Sequence, residues 1–334
     1  MRIDLAADHD AMGGSEMMML LAAQACVELG HDATVWVPTE TGEVAREADR
    51  RGLTVRGVGA RGNASYMRRL RAGTARSDAD VLWCHGLRPS FATAGLPRRI
   101  AHVYQRPRPL QRPALKRALR GADAVVVPSH SMADIAPNTH VLWNWCEPID
   151  APETVHEGPL SVGYLGRLSM EKGLGVLTDA LAELPDTELV LAGTPRFVIS
   201  SERRIIEQAL DRVADRTDRL GWVTASELFD RIDVLAVPPV WQEPFGQSVI
   251  EAMSAGVPLI VSDAGALGEV TGDDYPLCVA AGDARSLAAA IQAVAALTHE
   301  QLQGLTRRLH HRWEKHFSPD AGRRRVAALL DQLT

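Results

Sequence analysis

Between Val234 and Val261 the chain runs apolar strand, proline stop, turn, helix, glycine, apolar strand, and that order leaves few folds open. Val234-Leu235-Ala236-Val237 is a short apolar run ended by Pro238-Pro239, the pattern of a buried strand. Glu243-Pro244 predicts a turn, because the residue before a proline is pushed out of the helical region. Ser248 to Ala255 reads as a helix closed by Gly256, and Val257-Pro258-Leu259-Ile260-Val261 as the next strand. The cycle recurs along the chain. Strands are predicted over 3–7, 33–37, 55–58, 81–84, 124–129 and 140–144, then over 160–165, 187–193 and 276–279. Helices are predicted from Ser15 to near Leu29 and over 66–71, 114–120, 200–213, 286–296, 300–316 and 320–333, with Ser15 a candidate cap of the first. Alternating βα units in both halves predict an α/β protein with two doubly wound parallel sheets.

The length of 334 residues suits one or two domains, each with ample core. Pro148 to Gly158 is the predicted linker, placing a first domain at 1–148 and a second at 149–317. The four cysteines (Cys26, Cys84, Cys146 and Cys278) form no CxxC pair and lie in apolar or strand-like contexts, which predicts buried thiols and no structural metal. With no 18-residue apolar run and no signal-peptide pattern, a cytoplasmic protein is expected.

Charge is unevenly split. Residues 1–150 carry 19 basic and 16 acidic side chains and residues 151–334 carry 17 and 26, about +3 and about −9. From Val81 to Ala122 nine residues are basic and none is acidic. Such a stretch suits a phosphorylated acceptor or an anionic membrane. A solvated face is the plainer reading and the preferred one, so peripheral membrane contact is compatible but not favoured. Nucleic acid is not expected, given the acidic total and no interleaved aromatic stacking motif.

Glu243 and Glu251 are the candidate chemical pair. A continuous helix would separate them by ~12 Å, wider than the ~5–9.5 Å of a glycosidase acid and base. That spacing suits gripping two ends of an extended polar ligand. The plain alternative is a turn residue and a solvated helix glutamate. Gly13-Gly14 at a predicted helix amino terminus would let backbone amides approach a phosphate, although two glycines alone are also an ordinary strand–helix turn. The pattern is not GxGxxG, so no nicotinamide site is read. His85 follows a buried strand at the sheet edge where ligands bind in open α/β folds.

Taken together and in order, Gly13-Gly14-Ser15-Glu16, His85, Gly166-Arg167-Leu168, Glu171-Lys172-Gly173 and Glu243-Pro244-Phe245-Gly246 with Glu251 resemble the retaining glycosyltransferases of family 4. The similarity runs over nearly the whole chain. It implies the GT-B fold, two Rossmann-like domains facing across a cleft, with the last helix (318–334) packing back on the first. The donor would be a nucleoside-diphosphate sugar, UDP- or GDP-linked. Arg167 and Lys172 would neutralise the diphosphate as the glycosidic bond breaks, with Gly13, Gly14 and Gly166 close by. Glu251 would accept from the ribose hydroxyls. Glu243, with the amides of Phe245 and Gly246, would grip the sugar, and His85 would reach it from the first domain. Gly221 and Val223 fall where relatives hold the base, and Tyr104, Arg106 and Arg108 on the acceptor side.

The implied reaction is same-face transfer to an acceptor hydroxyl, with no cofactor and no metal, catalysis resting on positioning and domain closure. Two departures from the family pattern stand out. Asn144-Trp145-Cys146-Glu147 replaces the usual Asn-Gly-x-Asp, and Gly265-Ala266-Leu267-Gly268-Glu269 replaces Gly-Gly-x-Pro-Glu. A GT-B nucleotide-sugar epimerase or phosphorylase, or a silent sugar-nucleotide binder, would share the same sheets and diphosphate residues.

Overall fold

In the computed structural model of the chain, residues 1–150, 158–195 and 198–333 are described. They divide into two units, Met1–Trp145 with Pro319–Thr334, and Cys146–Ser318. Residues 151–157 of the predicted linker lie outside the described residues.

The first unit runs β1 (Arg2–Ala6), α1 (Gly14–Glu28), β2 (Asp32–Val37), α2 (Glu43–Arg50), β3 (Thr54–Gly57), α3 (Asn63–Thr74), β4 (Val81–His85), α4 (Leu87–Ala92), β5 (Arg99–His102), α5 (Arg112–Ala118), β6 (Ala124–Val127) and β7 (Thr139–Val141). Its seven strands lie in the order β3-β2-β1-β4-β5-β6-β7 and every neighbouring pair is parallel. Parallel strands are covered on both faces, so they read as near-continuous apolar runs. Ile3, Leu5, Val35, Trp83, Ile100 and Val126 bury against Met18, Met19 and Leu20 of α1.

The second unit runs β8 (Leu160–Leu165), α6 (Leu174–Ala182), β9 (Thr187–Ala192), α7 (Ser200–Leu210), β10 (Thr217–Gly221), α8 (Ala225–Phe229), β11 (Val234–Val237), α9 (Gln247–Ala255), β12 (Leu259–Ser262), α10 (Leu267–Thr271), β13 (Cys278–Val279), α11 (Ala284–Ala295) and α12 (His299–His316). Its sheet has the order β10-β9-β8-β11-β12-β13, again all parallel. In both sheets the carboxyl ends of the strands share one edge, the edge where open α/β folds place ligands. The chain then returns to the first unit as α13 (Pro319–Asp331), whose Val326, Leu329 and Leu330 join the core beside α1. No helix among the described residues is long and apolar enough to cross a membrane.

Several expectations are corrected. Ser15 does not cap α1: Gly13 is the cap residue, and the Ser15 hydroxyl donates to the Glu16 carboxylate instead. The strand expected from Val257 begins at Leu259, because Pro258 has no N–H for the ladder and offers only its carbonyl, to Leu235 N at 2.9 Å. The helix expected over 114–120 is α5, at 112–118. Cys26, Cys84 and Cys146 are buried, but Cys278 is exposed on the short edge strand β13.

Two strands went unread. β10 is a polar edge strand, with Asp218 and Arg219 exposed. β5 contains Arg99, which is wholly buried with both terminal nitrogens held by backbone: they donate to the carbonyls of Ser90 at 3.1 Å, Ala118 at 2.7 Å and Arg120 at 3.1 Å, while its Nε has no partner among the described residues. Arg99 therefore belongs to the core, not to the basic surface.

The Trp145 departure has a packing explanation. Trp145 is buried, and a Cβ on Gly322 of α13 would stand 2.3 Å from the indole. The bulky ring lies where the helix opposite presents no side chain.

Candidate functional site

In the second unit the site begins with a close approach of backbone to backbone. Gly173, at φ +80°, sits against the end of β11 so tightly that a Cβ there would lie 1.7 Å from the Pro238 carbonyl oxygen. Val240 N donates to Glu171 O at 2.9 Å across the same junction. The loop after β8 is thereby pinned to the loop after β11, and Lys172 Nζ reaches Glu243 Oε2 at 2.7 Å. Trp241 Nε1 donates to the same carboxylate oxygen at 2.9 Å, and the Lys172 ammonium lies 5.5 Å from the centre of the Trp241 ring.

Glu243 is only 6 % exposed, yet it sits on a loop. Its backbone is held from a third side: Ala266 N donates to Glu243 O at 2.9 Å, and a Cβ on Gly265 would lie 2.2 Å from that oxygen. One carboxylate oxygen is thus fully engaged. The other, Oε1, accepts no hydrogen bond among the described residues.

Arg167 lies at the same sheet edge, directly after Gly166. Its Nη2 stands 3.4 Å from Glu171 Oε2, and its buried Nε has no partner among the described residues. The Tyr164 hydroxyl donates to the Arg167 carbonyl at 2.8 Å and fixes the start of the loop. Phe245 is 2 % exposed and edge-on to Phe317 at 5.8 Å, so its side chain anchors the loop. Gly246, at φ +94°, caps α9.

Glu251 stands in the second turn of α9. No hydrogen bond to its carboxyl is formed among the described residues, and burial pushes it up to about 7. Such a carboxyl lacks the donors that would hold it ionised.

Gly221, at φ +72°, ends β10, and Val223 lines a cavity of about 470 Å³ with Leu220, Glu227, Asp230 and Arg231. That cavity includes none of Arg167, Lys172, Glu243 or Glu251. Trp222 beside it is 78 % exposed.

In the first unit the edge is built around imidazoles. His85 is the last residue of β4 rather than the first of the following loop, and it pairs in register with His102, the last residue of β5. Tyr104 carries its hydroxyl to both rings, 2.7 Å from His85 Nδ1 and 3.1 Å from His102 Nδ1. Burial pulls His85 well below the usual imidazole range, helped by His102, and pulls His102 down to about 3, so both rings are neutral.

At the start of α1 the Glu16 carboxylate occupies the amide end of the helix. Its Oε2 accepts from Ser15 Oγ at 2.8 Å and would lie 3.1 Å from a Cβ on Gly13. His9 Nδ1 is 3.4 Å from its other oxygen, and burial raises the carboxyl above its ordinary value. Arg106 on the outer surface is tied to Asp134 at 2.6 Å, and the Arg108 amide donates to Gln111 Oε1 at 3.0 Å.

The structure therefore brings Lys172, Glu243 and the Gly265 loop into contact, sets Arg167 beside them, and gathers His85 with Tyr104. Val223 lines a cavity to which none of those residues contributes. Sequence reasoning passed over Trp241, His102 and the buried state of Glu16. Trp241, two residues before Glu243, offered no periodic signal, and His102 lay in a strand masked by arginines.

Two Rossmann-like parallel sheets in one chain, with basic and acidic side chains clustered at a carboxyl edge, define the GT-B class. The solved Anabaena Alr3699/HepE structure in complex with UDP and glucose matches with a TM-score of 0.85 at 20 % identity, over 99 % of each chain. A second structure of that protein, in complex with UDP-glucose, matches with the same TM-score at 19 % identity, over 99 % of this chain and 100 % of that one.

Residues 12–141 match the model of Glycosyltransferase Family 4, and residues 159–296 that of Glycosyl transferases group 1. The lipopolysaccharide core biosynthesis mannosyltransferase LpsB of Rhizobium meliloti is 30 % identical over 245 residues, 64 % of this chain and 67 % of that one. A glycogen synthase of Mycobacterium tuberculosis is 37 % identical over 146 residues, 41 % of this chain, and the match spans 34 % of its own length. The chain belongs to glycosyltransferase family 4, within the group 1 glycosyl transferases.

Proposed function

We propose that the protein is a retaining glycosyltransferase that moves a sugar from a nucleoside-diphosphate sugar to an acceptor hydroxyl without a metal ion. The observation that carries the reading is the Lys172–Glu243 pair, held by three loops at the carboxyl edge of the second sheet with Arg167 beside it. The ammonium has three donors and spends one on Glu243, leaving two for phosphate oxygens. The Glu243 Oε1 left without a partner accepts from a sugar hydroxyl. Lys172 thus joins the charged leaving group to the carboxylate that orients the sugar. Glu251 accepts from the ribose, and His85 donates to the sugar.

In the proposed reaction the acceptor oxygen bonds to the anomeric carbon on the face from which the diphosphate departs. The bond from that carbon to the phosphate oxygen breaks, and the departing oxygen takes the acceptor proton. Negative charge grows on the diphosphate as the bond breaks, so Arg167 and Lys172 stabilise the transition state more than the ground state.

A uridine donor is the first candidate, because the structurally similar HepE is solved with UDP-glucose. Thermal unfolding with UDP-, GDP-, ADP- and dTDP-sugars in EDTA tests the reading. One donor at ~100 Kd adds ~2.7 kcal/mol to the folded state, and the product's anomeric configuration then tests retention. If no nucleotide sugar moves the transition, the proposal falls.

A further inference from the structure

The hydroxyl of Tyr104 stands between two imidazoles and has a single proton to give. It lies 2.7 Å from His85 Nδ1 and 3.1 Å from His102 Nδ1. It can donate to one of these nitrogens, never to both. A neutral imidazole carries one N–H, so each tautomer follows from what the hydroxyl does.

The two lengths assign the roles. Contacts from hydroxyl donors centre on ~2.7–2.8 Å, whereas those from N–H donors to oxygen centre on ~2.9–3.0 Å. The shorter contact is therefore Tyr104 donating to a bare His85 Nδ1, and the longer one is His102 Nδ1–H donating to the Tyr104 oxygen. His85 then carries its proton on Nε2, and His102 leaves its Nε2 bare. Neither Nε2 has a partner among the described residues, and both rings are buried to within 1 % exposure.

The geometry also holds the rings in place. His102 and Tyr104 stack at 4.0 Å between centroids, and Trp83 packs on His85 at 5.1 Å and on His102 at 6.1 Å. His85 and His102 are cross-strand neighbours in a fixed parallel register. Neither imidazole can turn over without breaking a stack and a hydrogen bond together.

We propose that Tyr104 and His102 are positioning residues that lock His85 as the Nε2–H tautomer, making it a neutral hydrogen-bond donor toward a sugar oxygen. The donor role of His85 rests on the function proposed above; the tautomer lock stands on this geometry alone. A His85 freed from Tyr104 would divide between two tautomers, and only one of them can donate from Nε2.

The test is long-range ¹H–¹⁵N correlation spectroscopy of the full chain with ¹⁵N-labelled histidine at neutral pH, assigned by His85→Gln and His102→Asn. The expected wild-type pattern is Nε2–H for His85 and Nδ1–H for His102. Tyr104→Phe is expected to turn the His85 signal into a mixture of tautomers. His102→Asn, whose amide N–H replaces the Nδ1 donor, is expected to keep His85 as Nε2–H.

In transfer assays Tyr104→Phe is expected to lower kcat about tenfold with donor KM little changed, the loss of one oriented hydrogen bond. A wild-type His85 found as Nδ1–H, or a Tyr104→Phe spectrum identical to wild type, overturns the lock. Full transfer in His85→Ala, which has no side-chain donor, beside the expected spectra would instead overturn the donor role and leave the lock standing.

Discussion

Glu251 sets stability against binding, and the cost can be worked from its environment. Its carboxyl is pushed up to about 7 from an ordinary 4.5 by burial, with no partner charge to oppose the shift. At about 1.4 kcal/mol per pH unit, that gap caps the cost of ionising it in the folded chain at about 3 kcal/mol.

The sign follows from which state loses its proton first. Below pH 4.5 both folded and unfolded chains are protonated at this site and nothing is lost. Between 4.5 and 7 the unfolded chain ionises first, so stability falls as pH rises; above 7 the full cost is present. Glu251→Gln removes the ionisation and keeps the shape. At pH 8 the ligand-free variant should melt above wild type by about 6–12 °C at most, taking ~2–4 °C per kcal/mol for a chain of this size. The two curves should draw together toward pH 5 and meet below pH 4.5.

Binding moves the other way. A carboxylate meeting two ribose hydroxyls gains the donors it lacked, so the nucleotide sugar should stabilise wild type strongly and the glutamine variant weakly. Thermal unfolding from pH 5 to 8, with and without donor, reads both effects. A melting difference that stays constant across that range would show that Glu251 does not titrate there. A variant less stable than wild type at pH 8 would show that the carboxylate has a partner in the folded chain, and either result refutes the reasoning.

Lys172→Ala should weaken donor binding at least tenfold in isothermal titration and also leave the Glu243 carboxylate buried without its cation; unchanged affinity would remove Lys172 from the diphosphate. Glu243→Gln keeps an acceptor but loses the charge, and should cut transfer while largely preserving nucleotide affinity, so normal turnover would exclude it from the sugar pocket. Gly265→Ala forces a Cβ within 2.2 Å of the Glu243 carbonyl at φ +66°, and should cost more than about 1 kcal/mol of stability together with transfer. Gly268→Ala, where nothing lies within 4 Å of the added carbon, is its silent control. Trp145→Ala should cost about 3–5 kcal/mol through the cavity it opens beside Gly322, and a loss below 1 kcal/mol would refute that packing account.

The fold was legible where strands are buried on both faces, because nothing but apolar residues is cheap there. β1, β4, β6, β8 and β11 are such runs, and each was read within a residue or two. β5 was hidden because a single buried arginine inverts its hydropathy. Arg99 is tolerable inside only because the carbonyls of Ser90, Ala118 and Arg120 converge on its guanidinium, and that convergence is tertiary. The same misreading enlarged the basic surface, which loses Arg99 to the core and ties Arg106 to Asp134. β10 was hidden for the opposite reason: an edge strand is half solvated, so Asp218 and Arg219 carry no strand signal.

The candidate site divides along the same line. Individual motifs are local and could be read, but the contact between Lys172 and Glu243 joins residues 71 positions apart and depends on where two glycines let backbones meet. Gly173 brings the lysine loop onto Pro238, and Gly265 brings the loop after β12 onto Glu243 itself. This gives the departure at Gly265-Ala266-Leu267-Gly268-Glu269 a physical reading. The family's first glycine is retained at the position where a side chain would collide, Ala266 keeps its N–H on the Glu243 carbonyl, and Gly268 faces open space. The two positions that depart, Ala266 and Gly268, therefore leave the clamp on Glu243 intact. A difference in sugar choice from family members with the usual pattern would have to arise from those two positions, not from the carboxylate's own placement.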